Sequence, residues 1–492
     1  MPGLNSSLNI GLSGLQASQA SLNVVGHNIA NVNTPGYTRQ RAVITSNDSQ
    51  TYGNLQFGTG VTLEQITSVR NRFLDLQITQ ATSKQSGADT RYSGVEAVAP
   101  AFQDDGSGLS SLVQNFFNGF QQLAARPEDG SVRTNLLGQA NSLVTGLQSR
   151  YQLLEDQRKQ ADGSISSLVT QVNTLTKQIA DLNSRIATEP IPGSDNDGRD
   201  QRQALANQLG TLVGVQVFEN DKGALQITLD SGAAVLVSGS SSFDMSVAPN
   251  PVPGNYQLVQ VAQGSGAPVD VTSKIKEGQI GGNLALRDQV LPGYQAQLDE
   301  LAAGVAGQVN LLHRTGFSLN GAATGNDFFL GVTANGANGL PTTISAASSY
   351  RGMVNSLTVN AALVANTSLI AAAGVANTSG NNTIAKAMAA LQNANSTVDT
   401  NGDGVGDAGP YSTVISSLVN RVGTDAQGFE ATSNTQQNLL AALNTQRDRG
   451  AAVDLDEEAT NLITFQRGYQ SCARFVSVID QLTDQLVNQF GR

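Results

Sequence analysis

Cysteine is almost missing from this 492-residue chain: Cys472 stands alone, so no intrachain disulfide can form. Tryptophan is absent and aromatic residues make up only 5%. Two histidines, His27 and His313, are too few for a histidine-rich metal site. Basic residues are outnumbered 28 to 39. The net charge of −11 and a pI near 4.7 argue against a nucleic-acid surface. Long apolar runs are missing as well. The uncharged stretch from Val354 to Ala376 is interrupted by Asn355, Ser356, Asn360, Asn366 and Ser368, which excludes insertion in a bilayer core. The amino-terminal stretch has no basic start and no continuous apolar segment, so no cleavable secretory signal is expected. The most telling gap is electrical. No Lys, Arg, Asp or Glu precedes Arg39, which is unusual for a solvent-facing helix and points to burial in something larger.

What is present is concentrated at the two ends. Leu8, Leu15, Leu22 and Ile29 recur every seven residues, with Leu12, Val25 and Val32 beside them. At the other end Leu455, Ala459, Leu462, Phe465, Tyr469, Cys472, Val476, Ile479, Leu482 and Leu486 step by three or four. A period near 3.5 marks a narrow seam that seeks another helix. Chain ends fray unless tied down, so both ends read as built to dock.

Between them the pattern changes several times. The first helix, with Asn5 or Ser6 as cap, must stop before Pro35, where Thr34-Pro35-Gly36-Tyr37 reads as a tight turn. Arg39 to Thr45 is extended. Phe73 to Ile186 is mainly helical, with breaks at Asp104-Asp105-Gly106 and Pro127-Glu128-Asp129-Gly130. Its clearest part, Ile165, Leu168, Val172, Leu175, Ile179, Leu182 and Ile186, suits a hairpin arm or rod-like bundle. Alternation then takes over at Val215/Val217, Leu225/Ile227/Leu229 and Val235/Val237, a meander of hairpins. Helical period returns at Leu291 and again from Tyr411. Asp454 with Glu457 resembles a capping box opening the last helix. The fold expected is mainly α with an inserted β domain (α+β), elongated and multidomain, its terminal helices pairing as a coiled coil. Residues 1–63 and 451–492 form a discontinuous terminal polymerisation domain. Residues 64–213, 284–316 and 411–450 make a helical stalk, 214–283 the β insertion, and 317–410 a Gly/Ala/Asn-rich outer region.

The segment Ala30-Asn31-Val32-Asn33-Thr34-Pro35-Gly36-Tyr37-Thr38-Arg39-Gln40 resembles the N-terminal signature of the bacterial flagellar axial proteins, the rod, hook and hook-associated subunits. Within them the chain is similar to the FlgK family of the hook–filament junction. The landmarks are Gly58-Thr59-Gly60-Val61, Arg72-Phe73-Leu74, Phe116-Phe117, Leu123, Pro127, Arg133, Asn310, His313, Gly316, Asn320-Gly321, Gly325 and Phe328-Phe329, and the ending, Asp454 to Ala459 and then Tyr469 to Leu486. The resemblance implies a structural protein and no enzyme or cofactor. It implies export through the flagellar type III apparatus, an extracellular location and self-assembly into a helical zone. The implied partners are the hook protein, the second hook–filament junction protein, the filament cap and a cytoplasmic export chaperone on the C-terminal helix.

Other signals are weaker. Asp399 to Asp407 places oxygen ligands at alternate positions, as calcium loops do, but Pro410 stands where a bidentate Glu is needed; a solvated acidic turn is the favoured reading. No phosphate loop, nucleophile elbow or metal-ligand cluster is visible, so no catalytic, cofactor or metal residue is assigned. A hook or rod axial subunit remains an alternative, as does a calcium-dependent surface adhesin.

Overall fold

The computed structural model describes residues 3–52, 54–103, 108–189, 193–220, 223–252, 255–264, 266–332, 344–345, 351–394, 398–399 and 409–490. The chain begins with helix α1 (Leu4–Ala30), then strands β1 (Gln40–Ser46), β2 (Gln50–Tyr52), β3 (Leu55–Phe57) and β4 (Val61–Ser68). Helices α2 (Arg72–Glu96), α3 (Leu109–Ala125), α4 (Gly130–Ala187) and α5 (Asn196–Leu212) follow. The strand region holds β5 (Val215–Glu219), β6 (Leu225–Leu229), β7 (Val235–Ser238), β8 (Ser241–Ser242), β9 (Met245–Ala248), β10 (Leu258–Val261) and β11 (Val269–Asp270). Helix α6 (Gly278–Ala285) passes through a π-helical turn at Leu286–Val290 into α7 (Leu291–Thr315). Short pieces come next: β12 (Phe329–Leu330), β13 (Ile344–Ser345), α8 (Met353–Ser356), β14 (Thr358–Val359), α9 (Ala361–Ala365), α10 (Thr383–Ala390) and β15 (Val398–Asp399). Two long helices, α11 (Tyr411–Ala451) and α12 (Leu455–Phe490), close the chain. The fold is therefore mainly α with an inserted β region.

Two expectations on helix ends need correction. Helix α1 starts at Leu4 with Gly3 as its cap; glycine has no side chain to cap with, and its carbonyl takes the Ser6 and Ser7 amides. Asp454 does cap α12, accepting from the amides of Asp456 (2.9 Å) and Glu457 (3.3 Å). Glu457, however, serves Arg39. The break at Pro127–Gly130 lies where expected, between α3 and α4; the one at Asp104–Gly106 falls outside the described residues.

The chain divides into two compact units, Met1–Ser86 with Ser167–Gln279 and Thr435–Arg492, and Gly87–Ser166 with Ile280–Asn434. In the first, β1 and β4 pair antiparallel along their length with a bulge at Val43/Ile44. Strands β5 to β8 form a four-stranded antiparallel sheet in chain order, and β9 to β11 a three-stranded one. Gly232 takes a positive φ at the β6–β7 turn, which a side chain would strain. The heptad run at the end of α4 meets two neighbours, the returning helix α5, whose Arg202 donates to Asn183 Oδ1 at 2.9 Å, and the strand region. Asn173 bonds both the amide and the carbonyl of Met245, and buried Asn183 bonds the Leu225 amide and the Leu225 and Gly239 carbonyls. A helix with one apolar stripe covers a sheet as well as it covers a helix, and the period does not distinguish them.

The second unit is built on aromatic packing. Phe116, Phe117, Phe120, Phe328 and Phe329 are fully buried, and the Phe328 and Phe329 rings meet edge-on at 5.0 Å. Phe117 stacks on Tyr411 at 5.9 Å. Polar side chains brace this core. Asn310 accepts from the amides of Phe328 and Phe329, both at 2.8 Å, and donates to the Phe329 carbonyl. His313 donates through Nδ1 to the Asn326 carbonyl and accepts at Nε2 from the Ala371 amide, and burial lowers its pKa. Buried Arg133 spends its guanidinium on the carbonyls of Pro127, Thr367 and Ile370. The described parts of 317–410 contribute Leu357, Leu363, Ile370 and Met388 to this core.

Candidate assembly site at the paired chain ends

Helices α1 and α12 pack against each other antiparallel. A Cβ added at Gly11 would lie 2.8 Å from both Phe475 and Val476, and one at Gly14 would lie 2.9 Å from Cys472 Sγ. One added at Gly468 would lie 3.4 Å from Ser18 Oγ. The facing rows of α1 are thus Gly11, Ser18 and Val25, and Gly14, Ser21 and Asn28, each spaced by seven. Small side chains let the two backbones come close, as an apolar stripe of leucines could not.

The leucine row lies beside this seam. Leu8, Leu15, Leu22, Ile29 and Val32 are half-buried, Leu12 is 45% exposed, and Val25 alone of the set is buried. On α12, Ile479 is buried and Tyr469 and Val476 are half-buried. Leu455, Leu462, Leu482 and Leu486 remain 38–51% exposed, joined by Ile463, Phe475 and Val478. Both ends therefore leave apolar area uncovered within one chain.

A polar knot closes the end of the seam. Asn28, 1% exposed, uses every bond it has. Its amide donates to the Gln40 carbonyl (2.9 Å) and Glu458 Oε2 (3.2 Å), and its oxygen accepts from the Gln40 amide (2.9 Å) and the Tyr37 hydroxyl (2.8 Å). Glu458, equally buried, takes Arg39 Nε on its other oxygen at 2.7 Å. Arg39 also reaches Glu457 at 2.6 Å, and its amide bonds the Ala451 carbonyl. Because the Tyr37 proton goes to Asn28, His27 must donate its Nδ1–H to the Tyr37 oxygen, 3.0 Å away.

The turn motif presents these groups. Thr34 to Tyr37 closes with the Tyr37 amide on the Thr34 carbonyl, and Gly36 sits at φ +82, as the third position of a type II turn after proline demands. Asn31 bonds the His27 carbonyl and accepts from Thr34 Oγ1. Asn33, Thr34, Pro35 and Gly36 are exposed. Beyond the turn, Thr38 gives its amide (2.7 Å) and hydroxyl (2.9 Å) to Asp200 of α5, and Gln40 reaches Asp197. Burial, more than these two bonds can offset, raises the Asp200 carboxyl to about 6. Burial and then the charges of Asp197, Asp200 and Glu458 push the Tyr37 hydroxyl well above its ordinary range. Asn28, Asp200 and Glu458 escaped sequence reasoning. The available signals were a lone Asn on an apolar helix face and Arg39, a first charge in need of a partner.

Among the described residues no three His, Cys, Asp or Glu side chains gather as a metal site, and no helix is long and apolar enough to cross a membrane. Positions 400–408 of the acidic loop lie outside the described residues.

Comparison with known proteins assigns the whole. Residues 95–329 match the model of the flagellar hook-associated protein FlgK helical domain. Residues 8–38 match that of the flagella basal body rod protein, and 446–489 the flagellar basal body rod FlgEFG protein C-terminal model. Flagellar hook-associated protein 1 of Escherichia coli (strain K12) is 28% identical over 99% of this chain and 100% of its own length. That of Bacillus subtilis (strain 168) is 26% identical over 97% and 96%. Over nearly its whole length the chain is similar to the FlgK family. The flagellar hook junction protein FlgK from Burkholderia pseudomallei, at 19% identity and a TM-score of 0.66, shares the fold over 76% of this chain and 99% of its own. On this likeness the chain is a structural hook-associated component of the flagellum, and it is not an enzyme.

Proposed function

We propose that this FlgK-like chain forms part of the junction between hook and filament and joins it by burying its two apolar stripes against neighbouring copies of itself. The observation that carries this reading is the division of labour on α1. Its small-residue rows face α12, while the adjacent leucine row stays half-open beside the exposed leucines of α12. Burying a leucine-sized side chain contributes about 1.5–3 kcal/mol, so a few per contact suffice to drive addition of a subunit. Head-to-tail contacts of this kind propagate as a helical tube instead of closing. The terminal domain at residues 1–63 and 451–492 would then do the polymerising. The hook protein below, the second junction protein and filament cap above, and an export chaperone shielding the C-terminal stripe inside the cell follow as partners. Secretion through the flagellar type III apparatus goes with them.

Leu15→Asp and Leu22→Asp are expected to abolish incorporation while the second unit stays folded; wild-type swimming of either strain would refute the stripe as the interface. A hook or rod position is the second reading, favoured by the rod-family matches at both ends. Electron microscopy of an in-frame deletion strain separates the two. Bare hooks with flagellin lost to the medium place the protein at the junction, and missing hooks place it lower.

A further inference from the structure

The contacts between α1 and α12 keep one register throughout. Gly14 faces Cys472, Ser18 faces Gly468, and the same step along each helix brings Asn28 to Glu458. Yet the seam on α1 is built of near-equivalent small residues three and four apart: Gly11, Gly14, Ser18 and Ser21. Such a surface accepts its partner almost equally well when slid by one turn, because each small position is replaced by another. Shape alone does not select the observed alignment.

We propose that the buried Asn28–Glu458 pair, held from the other side by Arg39, is the element that sets this register. A slip that brought Cys472 opposite Ser18 would set Glu458 against Val32 and Asn28 against Leu462. A buried carboxylate would then lose its amide donor, and Asn28 would lose its acceptor in an enclosed space. Leaving a buried charge and amide unpaired is far more costly than exchanging one glycine contact for another. A single buried polar position fixes alignment between helices for this reason. Arg39 adds a geometric stop, since its amide is tied to the Ala451 carbonyl at the end of α11 and its guanidinium spans Glu457 and Glu458. Register in turn decides where the exposed leucines of α12 fall relative to the leucine row of α1.

The test uses the full chain and two oxidative cross-linking reporters. Ser18→Cys with Gly468→Cys and Cys472→Ser bridges only in the observed register, whereas Ser18→Cys with the natural Cys472 bridges only after a four-residue slip. With Asn28 and Glu458 intact the first bridge is expected to form and the second to stay at background. In an Asn28→Leu/Glu458→Leu background the slipped bridge should rise at least tenfold while the first declines. If the double variant bridges only in the observed register, the small-residue seam sets alignment by itself and the proposal fails. It fails equally if neither bridge forms, since the pair would then hold the helices together without choosing between alignments. Bridge yields are read on the isolated chain, so they test the register independently of where the protein assembles.

Discussion

Among the described acids burial raises three carboxyls, Asp230 and, furthest, Asp200 and Asp299. Asp299, enclosed beneath α8, accepts from the amides of Gly352 (2.8 Å) and Val354 (2.9 Å), yet desolvation outweighs these bonds and raises it to about 6. Asp200 behaves alike. From the ordinary 3.8 up to about 6 the folded chain therefore binds protons that the unfolded chain releases, and the contribution of these groups to stability declines as pH rises through that window. Each accounts for about 3 kcal/mol. Urea unfolding of the second unit at pH 4.5 and pH 7 should show this decline, and Asp299→Asn should flatten it; an unchanged slope would remove Asp299 as the cause. Arg133 makes the complementary case. Its four bonds to carbonyls need a planar fork, which lysine lacks, so Arg133→Lys should cost about 2–4 kcal/mol in the same measurement. Residues of this kind are the least legible from sequence. Nothing near Glu458 in the chain announces Asn28, whose position is 430 residues away, and an acid in a first helical turn already has a sufficient local explanation in the helix dipole.

At the scale of elements the sequence spoke most clearly where one local rule decided the outcome. Pro127 and Gly130 separate α3 from α4, alternation marks β5 to β7, and Pro35-Gly36 ends the first helical segment because proline and glycine leave few alternatives. It was ambiguous where two partners satisfy the same pattern. The end of α4 meets both α5 and the strand region, and the leucine row of α1 lies beside the helix seam while glycines and serines occupy it. Hydrophobic periodicity records which side chains avoid water, not which of them allow backbones to approach. This distinction is measurable. Gly11→Val should cost about 1–3 kcal/mol through overpacking against Phe475 and Val476. Gly26→Ala, exposed and with nothing within 4 Å, should add roughly 0.5–1 kcal/mol of helix stability. Amide exchange in α1 read for the two variants should move in opposite directions, and equal effects would show that seam and surface glycines do not differ.

For the whole molecule the two compact units differ in what sustains them. The second has its own continuous core, running from six buried phenylalanines through α7 and α10 to Tyr411, and its core residues include none from the chain ends. In the first, α12 buries only Glu458 and Ile479 among its described side chains, so little but α1 and the turn after it holds that helix in place. An element with so few buried apolar contacts opens at low free energy once its partner is removed. Deleting residues 1–38 takes away α1, Asn28 and Tyr37 together, which strips Glu458 of its amide donor and α12 of its small-residue track. Limited proteolysis with mass detection should then cut throughout α12 while fragments carrying the phenylalanine core persist at the rate of the intact chain. Persistent protection of α12 would mean that it stands without α1. Loss of the core fragments would mean that the second unit depends on the chain ends after all, and that the ends are more than a docking device.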